Sequence, residues 1–295
     1  MVSFRFHLVS LVAVFLALGL GVLAGTTVIN QGLVRRLEDR TADAERDAAE
    51  DEARVAIWRA FGQNVFDYLV PGRLAGTEVV LVTQEGTDET AVADSRRALE
   101  EAGADMLGLL TVSDRMALSD DSSRGELAAI VGGLATDEPA ELASAAATEM
   151  ASELAFGAGE SDVLAELIRR EFVLVGGREV AEGVLRSLDG NEAVVVIGGW
   201  RERPTPPPEA FLVPLVEGLV ADGAPAAAGE SFQTRTPFVS LLRDDPTVNG
   251  EIATQDNVDQ VSGQVGLVLA VENVLAGTPG HYGTKDGADA MIPPP

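Results

Sequence analysis

Cysteine is absent from the 295-residue chain. Its absence removes disulfides, thiolate metal sites, thiol nucleophiles and a lipid-modified cysteine together. Lysine is almost absent too: Lys285 stands alone, and every other basic residue is arginine. Acidic residues dominate, for a net charge of −26. A chain so short of clustered positive charge is not a nucleic-acid binder. An acid-rich, lysine-poor surface suits concentrated salt; the Ala, Gly, Val and Arg usage fits a GC-rich composition equally well. Neither reading fixes a function.

Metal chemistry is similarly constrained. The two histidines, His7 and His281, cannot build a His-rich centre within one chain. Cu(I) prefers thiolate and thioether ligands, helped by imidazole. The five methionines, Met1, Met106, Met116, Met150 and Met291, form no MxM or MxxM pair. His281 and Met291 share the C-terminal region and are the one pair placed to meet a metal; the simpler reading keeps them independent.

Catalytic signatures are also missing. No GxGxxG follows a strand pattern, no GxxxxGK[ST] phosphate loop occurs, and no GxSxG elbow is present. Carboxylate pairs such as Asp120-Asp121, Asp244-Asp245 and Asp256 with Asp259 read as solvated surface. Asp256 to Asp259 offers oxygens for Ca²⁺ but lacks the glycine and later glutamate of an EF-hand loop. The sequence therefore predicts a non-enzyme without a cofactor.

Charge is absent from Phe6 to Val34 as well, and here the absence is informative. Leu8 to Ile29 is long enough to cross about 30 Å of hydrocarbon at about 1.5 Å per residue. A cleaved signal peptide is the alternative, with Val22-Leu23-Ala24 as a cleavage site. The apolar run continues past that site, which favours a retained anchor. Gly21 and Gly25 form a GxxxG pair, common by chance in such helices. Arg5 precedes the span while Arg35, Arg36 and Arg40 follow it. Counted alone, these place the body in the cytoplasm, but long domains translocate largely regardless of charge.

Five segments follow from this reading: a stub at 1–7, an anchor at 8–29, a helical stalk at 30–70, an α/β domain at 74–282 and a flexible tail at 283–295. The stalk, rich in Ala, Arg, Asp and Glu, carries a thin heptad stripe through Leu37, Thr41, Ala44, Ala48, Asp51, Val55 and Trp58. That pattern fits a weak homodimer or a lone solvated helix. Beyond Pro71-Gly72, strands are expected at Glu78–Thr83, Asp105–Val112, Ala193–Ile197 and Phe238–Leu242. Phe172–Val175 is too short to assign. Helices are expected at Asp88–Ala102, across Ser122–Arg170 with breaks near Pro139 and Gly157–Gly159, and at Glu179–Leu188 and Glu209–Ala221. Val261–Leu275 reads as a helix or a strand-helix pair. The alternation predicts an α/β fold with a mostly parallel, helix-flanked sheet.

Two places stand out as candidate functional positions. Gly198 and Gly199 end the clearest strand, where open α/β sheets form crevices; a groove and a tight turn are both consistent. Gly280-His281-Tyr282-Gly283 follows the last helix. Two glycines around two amphipathic rings suit a latch onto the domain or a contact with a partner.

The N-terminal run Ser3-Phe4-Arg5-Phe6-His7-Leu8-Val9-Ser10-Leu11, with Gly19, Gly21 and Gly25, carries a resemblance. So does the stretch from Ile252 through Asp256, Val258 and Asp259 to Val265-Gly266-Leu267, closing in Gly280-His281-Tyr282-Gly283. Both resemble the copper transport family of actinobacterial envelopes typified by mycobacterial MctB. The resemblance implies a role in copper export or homeostasis and a body outside the cytoplasm. The family is also described as an outer-membrane pore, yet a transmembrane barrel needs many alternating strands of about ten residues. Related members imply a second reading: a non-catalytic envelope scaffold binding a partner in cell-wall hydrolysis or division.

Overall fold

A computed structural model describes the backbone of residues 4–134, 136–157, 162–176 and 192–294, and side chains within these ranges from residue 6 onward except 26–39. The expected helix at Glu179–Leu188 lies outside the described residues. Two compact units are present, Met1–Phe61 and Gly62–Pro295.

The first unit is helical throughout its described length. It belongs to α1, which runs Phe4–Leu69. Phe6–Gly25 is long and apolar enough to cross a membrane, with none of it buried against protein. Arg46 with Asp43 and Arg54 with Asp51 form exposed pairs one turn apart. Such pairs add only a few tenths of a kcal/mol, about 0.2–0.5 each. Val55, Ile57, Trp58 and Phe61 are exposed, and the Trp58 and Phe61 rings meet edge to face at 5.9 Å.

The second unit begins at Gly62 rather than Leu74, because the end of α1 packs into the body. Phe66, Val70 and Leu74 are fully buried there. The body is built on one sheet of seven strands: β1 (Glu78–Gln84), β2 (Asp105–Val112), β3 (Val173–Gly176), β4 (Ala193–Gly198), β5 (Ala226–Glu230), β6 (Ala253–Gln255) and β7 (His281–Tyr282). Their order is β3-β2-β1-β4-β5-β6-β7. All neighbours pair in parallel except β3, which runs antiparallel beside β2. The sheet is thus mostly parallel, as the alternating pattern predicts.

Helices α2 (Glu89–Glu101), α3 (Asp121–Val131), α4 (Pro139–Phe156), α5 (Val163–Arg169), α6 (Leu212–Ala221), α7 (Val239–Asp244) and α8 (Val261–Leu275) complete the body among the described residues. They sort onto two faces. Val80 and Val82 point to a core shared with α3, α4, α5 and α6; Val79 and Leu81 point to one shared with α2, α8 and the end of α1. A strand buried on both faces needs apolar residues at every position, and the Val-Val-Leu-Val run of β1 supplies them.

Caps are set by short acids. Asp88 accepts from the backbone N–H of Thr90 and Ala91 to start α2. Asp120 does the same for α3 through Ser123 N–H at 2.9 Å. Helix α5 has a second cap from afar: the buried Glu153 carboxylate accepts from Val163 and Leu164 N–H. Burial pushes the Glu153 carboxyl up despite those bonds.

Two expectations are corrected. Phe238–Leu242 is not a strand: Val239–Asp244 is helical, because the Glu230 carboxylate receives Phe238 and Val239 N–H and starts a helix there. Glu209–Ala221 is not one helix: a 3-10 turn at Pro208–Ala210 precedes α6, which starts at Leu212. Val261–Leu275 is a single helix.

Candidate functional site

Chemistry-bearing residues converge at the C-terminal ends of β5, β6 and β7. Two ion pairs lie there, one buried on both sides and one joining a buried carboxylate to a partly exposed lysine. Arg243 Nη1 donates to Asp256 Oδ2 at 2.9 Å, and Lys285 Nζ donates to Glu230 Oε1 at 2.7 Å. The charges are not left to Coulomb attraction alone, which is how buried pairs become tolerable. Asp256 also accepts from Thr284 N–H and Lys285 N–H. Arg243 donates from Nη2 to the Tyr282 carbonyl and from Nε to Thr254 Oγ1. Lys285 Nζ reaches the Ser231 carbonyl and Thr234 Oγ1 as well.

Asp256 is therefore not solvated surface, the role its pairing with Asp259 suggests in sequence. It has no exposure, whereas Asp259 is partly open and accepts from Phe232 N–H. The chain around Asp256 is laid down by close packing against α8. A side chain at Gly263 would overlap the Asn257 carbonyl, and one at Gly266 would overlap the Gln255 amide. The helix N-terminus thus sits directly on the Gln255-Asp256-Asn257 turn, and only glycine allows that approach.

The Gly280-His281-Tyr282-Gly283 motif sits on the same junction. His281 and Tyr282 are β7 itself, paired with Thr254 and Gln255 of β6 at the sheet edge. Tyr282 is buried, and its ring folds back over Gly280, where any Cβ would collide with it. Gly283 has φ +131 and lies against the Asp256 carboxylate, a backbone path that L side chains rarely adopt. His281 is half-buried, with Nδ1 3.0 Å from the Thr254 hydroxyl. That hydroxyl accepts from Arg243, which leaves its proton for His281 Nδ1 and fits a neutral ring. Burial, then the Arg243 charge, holds the His281 pKa below the usual histidine value.

The residues after Gly283, expected as a flexible tail, carry much of this junction. Lys285 belongs to them. Asp289 N–H donates to the His281 carbonyl, and Asp289 Oδ2 accepts from His281 N–H. The signal in sequence was the solitary lysine, followed by the repeated acids of the segment.

Gly198 and Gly199 end β4, beside the point where strand order reverses from β1 to either side. Phe238 fills the space over Gly198, 2.6 Å from a built Cβ; Gly199, at φ +86, is approached as closely by Thr234. Both glycines thus serve packing. A crevice of about 440 Å³ opens next to them, lined by Glu85, Gly86, Asp88, Asp114 and the Trp200–Thr205 loop.

Among the described residues no group of three or more His, Asp or Glu is arranged to hold a metal ion. Met291 is largely exposed, and its carbonyl accepts from Gln255 Nε2.

A family profile described as "Copper transport outer membrane protein, MctB" matches residues 1–293. The chain is 26% identical over 312 residues to the protein named "Copper transporter MctB" of Mycobacterium tuberculosis, covering 98% of each chain. The Mycobacterium bovis protein of that name gives the same values. The one from Mycobacterium leprae is 26% identical over 318 residues, covering 100% of each. A match running from the apolar helix through the ion-paired junction places the chain in the MctB copper transport family.

Proposed function

We propose that this protein is a single-pass, membrane-anchored envelope protein that acts in copper export or homeostasis, with its body outside the cytoplasm. The observation that carries the reading is the whole-length correspondence with relatives named copper transporters. The apolar helix Phe6–Gly25 supplies the anchor. Copper is then cargo rather than a resident cofactor. The donor set favours transient, indirect handling: cysteine is absent from the sequence, and imidazole and thioether groups are few and scattered.

A second reading is a non-catalytic scaffold that recruits an envelope partner, for instance one in cell-wall hydrolysis or division. The open sheet with both faces covered by helices favours it, since such a body offers its loops to partners and leaves the sheet as a rigid support.

Deletion of the gene in its native host, followed by cellular copper measurement and growth on copper salts, tests the first reading. Copper should accumulate, and the full chain should restore the wild-type level while residues 62–295 without the anchor should not. Unchanged copper with disturbed septation would reject the first reading in favour of the second.

A further inference from the structure

Two crevices share the turn after β1. One, about 500 Å³, is lined by Gln84, Thr87, the length of α2 from Glu89 to Glu100 and two residues of β2; the other, about 440 Å³, lies against Trp200 and its loop; Glu85 and Gly86 wall both. Both lie at the C-terminal end of β1, and the second also borders the loop after β4, where the chain order of the sheet reverses. Open α/β sheets bind ligands at that place, and each volume falls in the range of small-molecule sites, about 300–1,000 Å³.

Three polar atoms of the wall residues, buried beneath the crevice surface, have no hydrogen-bond partner: Trp200 Nε1, Gln84 Oε1 and Thr87 Oγ1. Trp200 and Gln84 are almost completely buried, and Thr87 is more than nine-tenths buried. Gln84 is held by its other end, Nε2 donating to the Pro206 carbonyl at 2.6 Å. Trp200 is held by its ring, edge to face with Phe238 at 6.4 Å, and its Cδ1 lies 3.6 Å from a Cβ built on Gly86. Buried polar groups in native proteins are paired in the great majority of cases. Here one donor, one acceptor and one hydroxyl are left over around a single turn.

We propose that this turn is the binding site for a neutral saccharide. Hydroxyl groups are both donors and acceptors, so one class of ligand satisfies all three atoms. Charge disfavours the alternatives. The wall around Trp200 carries Glu85, Asp88, Asp114 and Glu202 against Arg201 and Arg203, which repels anions. Asp88 already caps the N–H groups that start α2 and pairs with Arg201 at 3.1 Å, so no free helix N-terminus remains for a phosphate. Interleaved carboxylates and guanidiniums suit vicinal hydroxyls, which donate to the carboxylates and accept from the guanidiniums. Seating the ligand needs the Glu85–Thr87 turn to move outward, and Gly86, at φ +80, is the residue that gives it freedom. This site is independent of the copper reading.

The full chain in a non-glycosidic detergent serves for the test. Trp58→Phe leaves Trp200 as the only tryptophan, so its fluorescence reports the site. Titration with N-acetylglucosamine and with cellobiose should give a saturable change for at least one of them. Glucose 6-phosphate, glucosamine and trialanine should bind more weakly. By calorimetry, Thr87→Val and Trp200→Phe should each weaken saccharide binding by about tenfold, the effect of one lost hydrogen bond. Thr87→Val preserves shape and guards against misfolding of the Trp200 variant, checked by thermal melting. No saturable binding of either saccharide, preference for the phosphorylated sugar, the amine or the peptide, or unchanged affinity in a folded Thr87→Val chain would overturn the proposal.

Discussion

Lys285 Nζ lies 2.7 Å from Glu230 Oε1, so the only lysine in the sequence joins the last segment of the chain to the end of β5. The partner carboxylate has no exposure and also starts α7 through Phe238 and Val239 N–H. Replacing Lys285 by Met strands that charge. Breaking one side of a buried pair costs about 3–5 kcal/mol, which for a body of this size lowers Tm by roughly 6–20 °C. The double variant Lys285→Met/Glu230→Gln should lose less than Lys285→Met alone, because no unpaired charge remains. Differential scanning calorimetry distinguishes these outcomes; equal losses would mean that the Lys285 stem, not its charge, holds the segment.

His281 gives a pH signature. Its native pKa is lowered by burial first and by Arg243 second. The unfolded chain then takes up a proton near pH 6.5 that the folded chain resists. Stability from this group is fully present above about pH 6.5 and falls as pH drops below it, until the folded ring protonates as well. Glu153, raised by burial, works in the opposite direction, so wild type and His281→Gln must be compared. Urea denaturation at pH 7.5 and 5.5 should show a smaller acid loss in His281→Gln; an identical loss would remove His281 as a contributor.

Tyr282 separates a latch from a partner contact. Its ring is buried at the sheet edge over Gly280. Tyr282→Ala should cost about 3–5 kcal/mol if the ring is a latch. An unchanged melting temperature with loss of a partner in pull-down would assign the motif to binding instead.

The approach of α8 to the Gln255-Asp256-Asn257 turn depends on two missing side chains. Gly263→Ala and Gly266→Ala should each destabilise by at least about 1–3 kcal/mol, the usual cost of overpacking. Gly250→Ala, where nothing lies within 4 Å of the added carbon, is the control and should melt near wild type. Equal melting of all three would show that the helix can shift without cost.

The stalk carries the remaining expectation. Val55 and Trp58 are exposed on α1, together with Phe61. If the protein self-associates, the contact is expected there, and deleting 33–58 should leave a folded, monomeric body by analytical ultracentrifugation. A dimer that survives the deletion would place the interface in the α/β body.

Legibility in the sequence followed local chemistry. Val-Val-Leu-Val in β1, Ala-Val-Val-Val-Ile in β4 and the Asp88 cap of α2 state their structure within a few residues. Ala226–Glu230 does not: alanine and glycine are poor strand formers, and the segment is a strand through its parallel pairing with β4 and β6, with Ile197 and Val258 filling the space beside Gly229. The Phe238–Leu242 segment has strand composition but is turned into a helix by Glu230, eight residues earlier at the end of β5, a contact that helix and strand patterns do not encode. Likewise the pairing of Asp256 with Arg243 is invisible in a chain crowded with acids, because nothing local marks one carboxylate among many as buried. The Gly280–Gly283 motif was visible as a motif, and its position at the sheet edge was not. At Gly198-Gly199 the glycines were legible, whereas the crevice beside them is built by the Trp200–Thr205 loop.

The last strand ends with its outer edge already occupied. His281 N–H goes to Asp289 Oδ2, the His281 carbonyl takes Asp289 N–H, and Gly283 N–H goes to the Ala290 carbonyl, with Ala290 bridging Tyr282 in parallel. Main-chain groups that would otherwise template another strand are consumed by the chain's own segment. An extended peptide, or a second copy laid edge to edge, finds no row of free donors and acceptors there. At this border the sheet is closed to augmentation, so a protein that engages the β7 side must do so through side chains.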